Sequence, residues 1–321
     1  MARRHTRIAV MMTVVAAAIL GPLSLSASSS SFPGINGPIA FMSMRDGNQE
    51  IYLRRTDGTE VRLTNDPGQD EAPSISADGT KIAFSSDRDG DFDIYVMNLD
   101  GSNVVQVTNM QGTDNNPSWS PDGQTLVFNN GNNGEIDLYK IGVNGQGLTN
   151  LTPSTSNSYD TEGSFSPDGT KIAFTSSGAG FSEIRYMNAD GTGVVTLTFG
   201  TIDYHPVWSP DGTRFVFVSS RTNGFYQVFT MNADGSSQTQ ISSLAYATDP
   251  SWSADGTKIL FLCVDLWTMN PDGTAAIQLT SGSDVYSPNW GVGQTPSTTT
   301  TSSPASSTTT GSDPMAPAFT G

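Results

Sequence analysis

The sequence predicts an all-β protein, a six-bladed β-propeller of four-stranded antiparallel blades, with the first blade closed by the C-terminal strand. Three observations lead there. A Ser-(Pro/Ala)-Asp-Gly turn recurs with its aspartate at Asp78, Asp122, Asp168, Asp211 and Asp255, spaced 44, 46, 43 and 44 residues apart. A second turn, mostly Asp-Gly, recurs at Asp57, Asp100, Asn144, Asp190, Asp234 and Asp272. Between the turns apolar and polar residues alternate, as in Lys81-Ile82-Ala83-Phe84. A fixed period of this length holding four short strands is the mark of a propeller blade.

The elements follow in order along the chain. Residues 1–27 carry Arg3, Arg4 and Arg7, an apolar stretch from Ile8 to Leu20, and small residues ending Leu25-Ser26-Ala27. That order reads as a secretory signal, with an uncleaved membrane anchor as the alternative. The arginine pair is a weak twin-arginine hint, and the absence of a cysteine at the cleavage site excludes a lipoprotein. Residues 28–36 read as a short linker, 37–292 as the propeller, and 293–321, rich in Thr, Ser and Pro, as a disordered tail. The tail reads as a stalk, a site of O-linked sugar or a passive end.

Within a blade, Pro117-Ser118-Trp119 forms the first strand and the Ser-Pro-Asp-Gly turn follows. A strand ending in Phe128, a third through Asp137-Leu138-Tyr139 and a fourth ending Leu151-Thr152 complete the unit. Glycine supplies the positive φ a tight turn needs, and the preceding aspartate bonds the local backbone. Trp119, Trp208 and Trp252 occupy one repeat position, with Ile75 and Phe165 as substitutes, and read as core. The first repeat lacks its Pro-x-Trp strand, and the missing strand appears at the far end as Pro288-Asn289-Trp290. Pairing the two closes the ring without a long exposed edge. The single cysteine, Cys263, rules out an intramolecular disulfide and, in its apolar run, reads as buried.

Ser-Pro-Asp-Gly-Thr-Lys-Ile-Ala-Phe (166–174), Asp-Ile-Tyr-Val-Met-Asn-Leu-Asp-Gly (93–101) and the Leu-Thr strand ends resemble the repeats of TolB-type propellers. The resemblance covers about residues 37–291. It implies the propeller fold and a binding role, but without the α/β domain that precedes the propeller in TolB, which puts a role in the Tol system in doubt.

Topology sorts the loops. The Ser-Pro-Asp-Gly and second Asp-Gly turns share a lower face, and the turns between second and third strands and the connections between blades share an upper face. Binding residues favour the longer, irregular loops of the upper face. Asp70, Asp114, Asp160 and Asp203 recur just before the first strand, with Asp249 and Asp284 slightly displaced. They are expected to ring the channel mouth, together with His205, and either to receive a partner's basic segment or to cap their own loops. A second acidic position opens the third strand (Glu50, Asp93, Asp137, Glu183 and Asp265, with Gln227 in blade five) and reads as a repeat hydrogen bond. In blade two it ends a cluster, Asp87, Asp89, Asp91 and Asp93, bent at Gly90, that can surround calcium with oxygen. The spacing departs from the EF-hand loop, so a solvated hairpin tip is the other reading. No cofactor is required. In blade six only four steps separate Phe261 from Asp265, which predicts a notch in the rim.

The net charge of −16, or −19 once the signal's three arginines are gone, disfavours nucleic acid and anionic membranes. His205 is the sole histidine after the signal, and no Gly-x-Ser-x-Gly elbow is present, so a hydrolytic triad or histidine-rich metal site cannot be assembled. A carboxylate-based hydrolase or lyase stays open. The reading is therefore an exported, monomeric, non-catalytic propeller for a protein partner. Binding of a glycan or wall polymer through Tyr204, Phe225, Tyr226 and Tyr246 is the alternative.

Overall fold

The computed structural model describes residues 31–153, 158–178, 180–222, 224–282 and 284–293; the expected signal (1–27) and the tail after Gly293 lie outside them. Among the described residues, twenty-four strands form six four-stranded antiparallel units. The first unit is β1 (Ile35–Ser43), β2 (Glu50–Arg54) and β3 (Glu60–Arg62), with β24 (Val285–Gly293). The second is β4 (Asp70–Ile75), β5 (Lys81–Ser86), β6 (Asp93–Asn98) and β7 (Val105–Gln106). The third is β8 (Thr113–Trp119), β9 (Thr125–Asn132), β10 (Glu135–Gly142) and β11 (Thr149–Asn150). The fourth is β12 (Tyr159–Phe165), β13 (Lys171–Gly178), β14 (Phe181–Asn188) and β15 (Val195–Thr196). The fifth is β16 (Asp203–Trp208), β17 (Arg214–Ser219), β18 (Gln227–Asn232) and β19 (Thr239–Gln240). The sixth is β20 (Thr248–Trp252), β21 (Ile259–Cys263), β22 (Asp265–Met269) and β23 (Ile277–Gln278). One parallel pair, Ile136 with Tyr159, joins the third and fourth units.

The strands β4, β8, β12, β16, β20 and β24 neighbour one another in cyclic order, so they surround the axis. The C-terminal strand pairs with the first, from Ile35 opposite Gly293 to Ser43 opposite Val285. Asn289 Oδ1 accepts from the Ile75 N–H at 2.8 Å, and the Trp290 N–H donates to Ser251 Oγ at 3.2 Å. The closing strand is thus bonded to both neighbouring blades.

The core lies between blades. Ala40, Ile51 and Leu53 of blade one meet Ile75, Ile82 and Phe84 of blade two; Val207, Val216 and Val228 of blade five meet Trp252, Ile259 and Phe261 of blade six. Trp119 and Trp252 are fully buried and donate their indole N–H to the preceding blade, to Ser74 O at 2.9 Å and Val207 O at 3.3 Å. The lower turns behave as their sequence predicts. Asp78, Asp122, Asp168, Asp211 and Asp255 each accept the N–H two residues on and the hydroxyl of the serine two residues before. Burial is the strongest single effect at Asp78, Asp211 and Asp255 and raises them, yet the combined hydrogen bonds hold all five carboxyls below the usual range.

Two expectations need correction. Residues 31–36 of the expected linker are part of the fold. Phe32 is buried in the cluster of Trp119 and Phe128, the Gly34 N–H donates to Ala254 O at 3.1 Å, and Ile35 and Asn36 already belong to β1. Cys263 is half-buried, because it ends β21 beside an exposed one-residue turn, and its thiol reaches Ala245 O at 3.4 Å.

Candidate functional site

The acidic repeat positions sit at the upper ends of the inner strands, but inside the wall. Asp70, Asp114 and Asp203 have no exposure, and Asp160 has almost none. A Ser-x-Arg pair explains two of them. Arg88 Nε donates to Ser86 Oγ at 2.9 Å, its guanidinium lies 4.7 Å from the Tyr95 ring centre, and its Nη2 reaches Asp70 at 2.8 Å. Arg221 repeats this on Ser219, Phe229 and Asp203, with its Nη2 2.6 Å from the carboxylate. Arg45 forms the same pair with Ser43, but there the inner strand carries Val285 and the arginine turns to Glu60 at 2.7 Å.

Blades three and four lack the arginine. Asp114 has Asn130 Nδ2 at 2.6 Å as its donor, and its second oxygen has none. Burial, reinforced by the neighbouring carboxylate of Asp93, pushes Asp114 up to about 7, although Thr108 and Asn130 oppose it. Asp160 is also raised by burial, partly offset by Ser176 and Thr152.

The second acidic position is a repeat hydrogen bond where the partners are seen. In every blade a hydroxyl two residues after the fourth strand (Thr64, Thr108, Thr152, Thr198, Ser242 or Thr280) accepts an N–H from the first half of the third strand. Thr64, Thr108 and Thr280 then donate to Glu50, Asp93 and Asp265.

Around the axis, one residue of each inner strand adopts left-handed backbone: Ala72, Asn116, Glu162, His205, Asp249 and Ser287, with φ between 49° and 60°. Such a conformation is uncommon outside glycine and is tolerated only where packing holds it. The strand register slips at this point in each blade, and proline follows in every blade except the fourth, which has Gly163. A Cβ at Gly163 would stand 3.0 Å from Val127 Cγ2, so the smaller residue keeps blade four against blade three. His205 donates its N–H to Glu162 Oε2 at 2.7 Å, and its Nδ1 lies 3.5 Å from Asp249 Oδ1. Both ring nitrogens, Asn116 Oδ1, Asp249 Oδ1 and Ser287 Oγ are buried without a hydrogen-bond partner. The aspartates displaced in sequence diverge in space: Asp249 occupies the left-handed position, and Asp284 is exposed ahead of β24.

The upper face also carries an apolar arc that sequence reasoning did not assemble. Phe199 is 70% exposed, and Phe181, Ile202, Phe225, Tyr246 and Val264 are exposed with it. Local bonds join the segments that carry them. The Ser182 N–H donates to Thr201 O, the Ser220 N–H to Ile202 O, and the Ala247 N–H to Tyr226 O. Phe225 meets Tyr246 edge-on, and Tyr204 meets Tyr226, each with ring centres 5.2 Å apart. At the far end β21 and β22 are joined by Val264 alone, so the rim is notched there. The missed signal was position: Phe181 opens β14 at the upper face, and the others fall in connections of that face. The predicted calcium cluster is only partly gathered. Oxygens of Asp89, Asp91 and Asp93 lie within 4.8 Å of one another, whereas Asp87 turns to the Gln69 N–H at 2.6 Å.

Six four-stranded units around an axis, with regular lower turns and an irregular upper face, define a β-propeller. The chain belongs to the TolB β-propeller domain family, whose model matches residues 23–115 and 104–294. It is similar to TolB from Acinetobacter baumannii, at 23% identity and TM-score 0.70, over 80% of this chain and 67% of that one. A TolB-type protein from Agrobacterium tumefaciens is 25% identical, TM-score 0.62, over 77% and 89%. The oligogalacturonate lyase of Vibrio parahaemolyticus shares the fold at 17% identity and TM-score 0.54, over 81% and 80%. No curated protein matches the chain.

Proposed function

We propose that this chain is an exported, non-catalytic propeller that holds a protein partner on its upper face. The carrying observation is the distribution of exposed apolar side chains. Among the described residues, the upper loops of blades four to six expose Phe181, Phe199, Ile202, Phe225, Tyr246 and Val264 in one arc. The lower face is built of turns whose aspartates are already bonded to their own loops. Exposed aromatics grouped on one face mark interaction surfaces. Asp249 and His205 at the channel, with exposed Asp284 beside it, favour a partner segment with positive charge next to its apolar anchors. The buried Asp70, Asp114, Asp160 and Asp203 shape the loops behind that contact.

The test compares baits of the full chain with and without Phe199→Ser and Phe225→Ser on envelope and secreted fractions. Both side chains are exposed, so the fold should survive the change. A protein held by the first bait and released by the second supports the reading. Equal capture by both baits, or capture of a glycan alone, contradicts it.

A further inference from the structure

Two repeat positions meet in the lower part of each blade junction. One opens or immediately precedes the second strand: Lys81, Thr125, Lys171, Arg214 and Lys258 in blades two to six. The other is the aromatic position of the following inner strand: Trp119, Phe165, Trp208, Trp252 and Trp290. Between blades two and three, Trp119 shares a buried cluster with Ala83 and Val96. Between blades four and five, Lys171 lies 4.6 Å from the centre of the Tyr186 ring, which in turn meets Trp208 at 6.5 Å. Between blades five and six, Arg214 lies 5.1 Å from the Trp252 ring centre. A cation held over an aromatic face is thus part of how these two junctions are filled.

The junction between blades three and four departs at both positions. Thr125 stands where the neighbours have lysine or arginine, and Phe165 where the others have tryptophan. The cation has moved to the third strand: Lys140, opposite Val127, takes the place that Tyr186, opposite Ala173, holds in the next blade. Its Nζ donates across the junction to Ala189 O at 2.8 Å. An ammonium has three protons, so this bond leaves its charge available to a ring face. The two shortened side chains leave a cavity of about 490 Å³. Small-molecule sites are typically of roughly 300–1,000 Å³. Pro121, Ile141, Phe165 and the stem of Lys140 supply apolar lining, with Thr125 and Gln146 beside them. Asp122 and Asp168 also line the space, and their own turns hold both carboxyls below the usual range. Two carboxylates against one ammonium make the site hostile to anions.

We propose that this lower-face cavity binds a small neutral aromatic molecule of about the size of indole, seated where the other junctions place tryptophan, with its face turned to the Lys140 ammonium. The ligand restores the pairing of cation and ring that blades four to six make from their own side chains. The site lies on the face opposite the apolar arc, so it takes its ligand independently of the partner surface.

The test is equilibrium dialysis of the full chain against indole at concentrations up to about 5 mM, the range expected of so small a ligand. Wild type should take up one equivalent. Phe165→Trp and Thr125→Lys each put back the residue of the neighbouring junctions. Each should abolish uptake, with a melting temperature no lower than wild type. Lys140→Met keeps the stem and drops the charge, and should weaken binding about two- to fivefold. Phe199→Ser, on the upper face, should bind as wild type does. Absence of uptake by wild type would overturn the proposal. So would uptake that survives both filling variants, an affinity unchanged in Lys140→Met, or loss of uptake in Phe199→Ser, which would move the ring to the upper face.

Discussion

Asp114 gives the most quantitative prediction. Its carboxyl is buried beside Asp93, with one amide donor and one orphaned oxygen, and is pushed up to about 7. An unfolded aspartate titrates near 3.9. Between about pH 4 and pH 7 the folded chain therefore holds a proton that the unfolded chain has released. Stability contributed by the neutral carboxyl is present at acid pH and is lost as pH rises through that window. Each tenfold mismatch in proton affinity is worth ~1.4 kcal/mol, so full ionisation costs the fold at most about 4 kcal/mol. Of this, roughly 2–3 kcal/mol is lost between pH 5 and pH 8. Asp114→Asn removes the charge, still accepts from Asn130, and offers an N–H to Asp93. Urea unfolding of both proteins at pH 5, 6.5 and 8, in EDTA, should show wild type losing about 2–3 kcal/mol relative to the variant as pH rises. Parallel stability curves would refute the reasoning.

Other consequences follow from the fold. A chain ending before Asp284 loses β24 and every pair with β1, so cooperative unfolding should disappear or its midpoint fall sharply; a melt like that of the full chain would refute closure by β24. Trp119→Phe keeps most of the buried ring but removes the indole bond to Ser74 O on the neighbouring blade, and should cost about 0.5–1.5 kcal/mol in chemical denaturation.

The repeat made the fold legible. The Asp-Gly turns, the tryptophan position and the displaced Pro-Asn-Trp strand each have a local physical cause, and each fell where the period placed it. The site was less legible. A recurring aspartate before each inner strand looks solvent-facing in sequence, yet Asp70 and Asp203 are enclosed by Arg88 and Arg221, which approach from the turn after the second strand. The Ser-x-Arg spacing at 43/45, 86/88 and 219/221 was the available signal. Phe32 gave none, since a single aromatic in a serine-rich segment has no periodicity to mark it as core. The apolar arc was hidden because its members are scattered over one strand end and four connections, which come together only when blades four to six stand side by side.

The central claim, that the upper face is the working face, is tested most directly by hydrogen exchange on the complex of this chain with its captured partner. Protection is predicted in the connections around Phe181, Ile202, Phe225, Tyr246 and Val264, with the lower turns at Asp78, Asp122, Asp168, Asp211 and Asp255 exchanging as in the free chain. Protection confined to those lower turns would contradict the account.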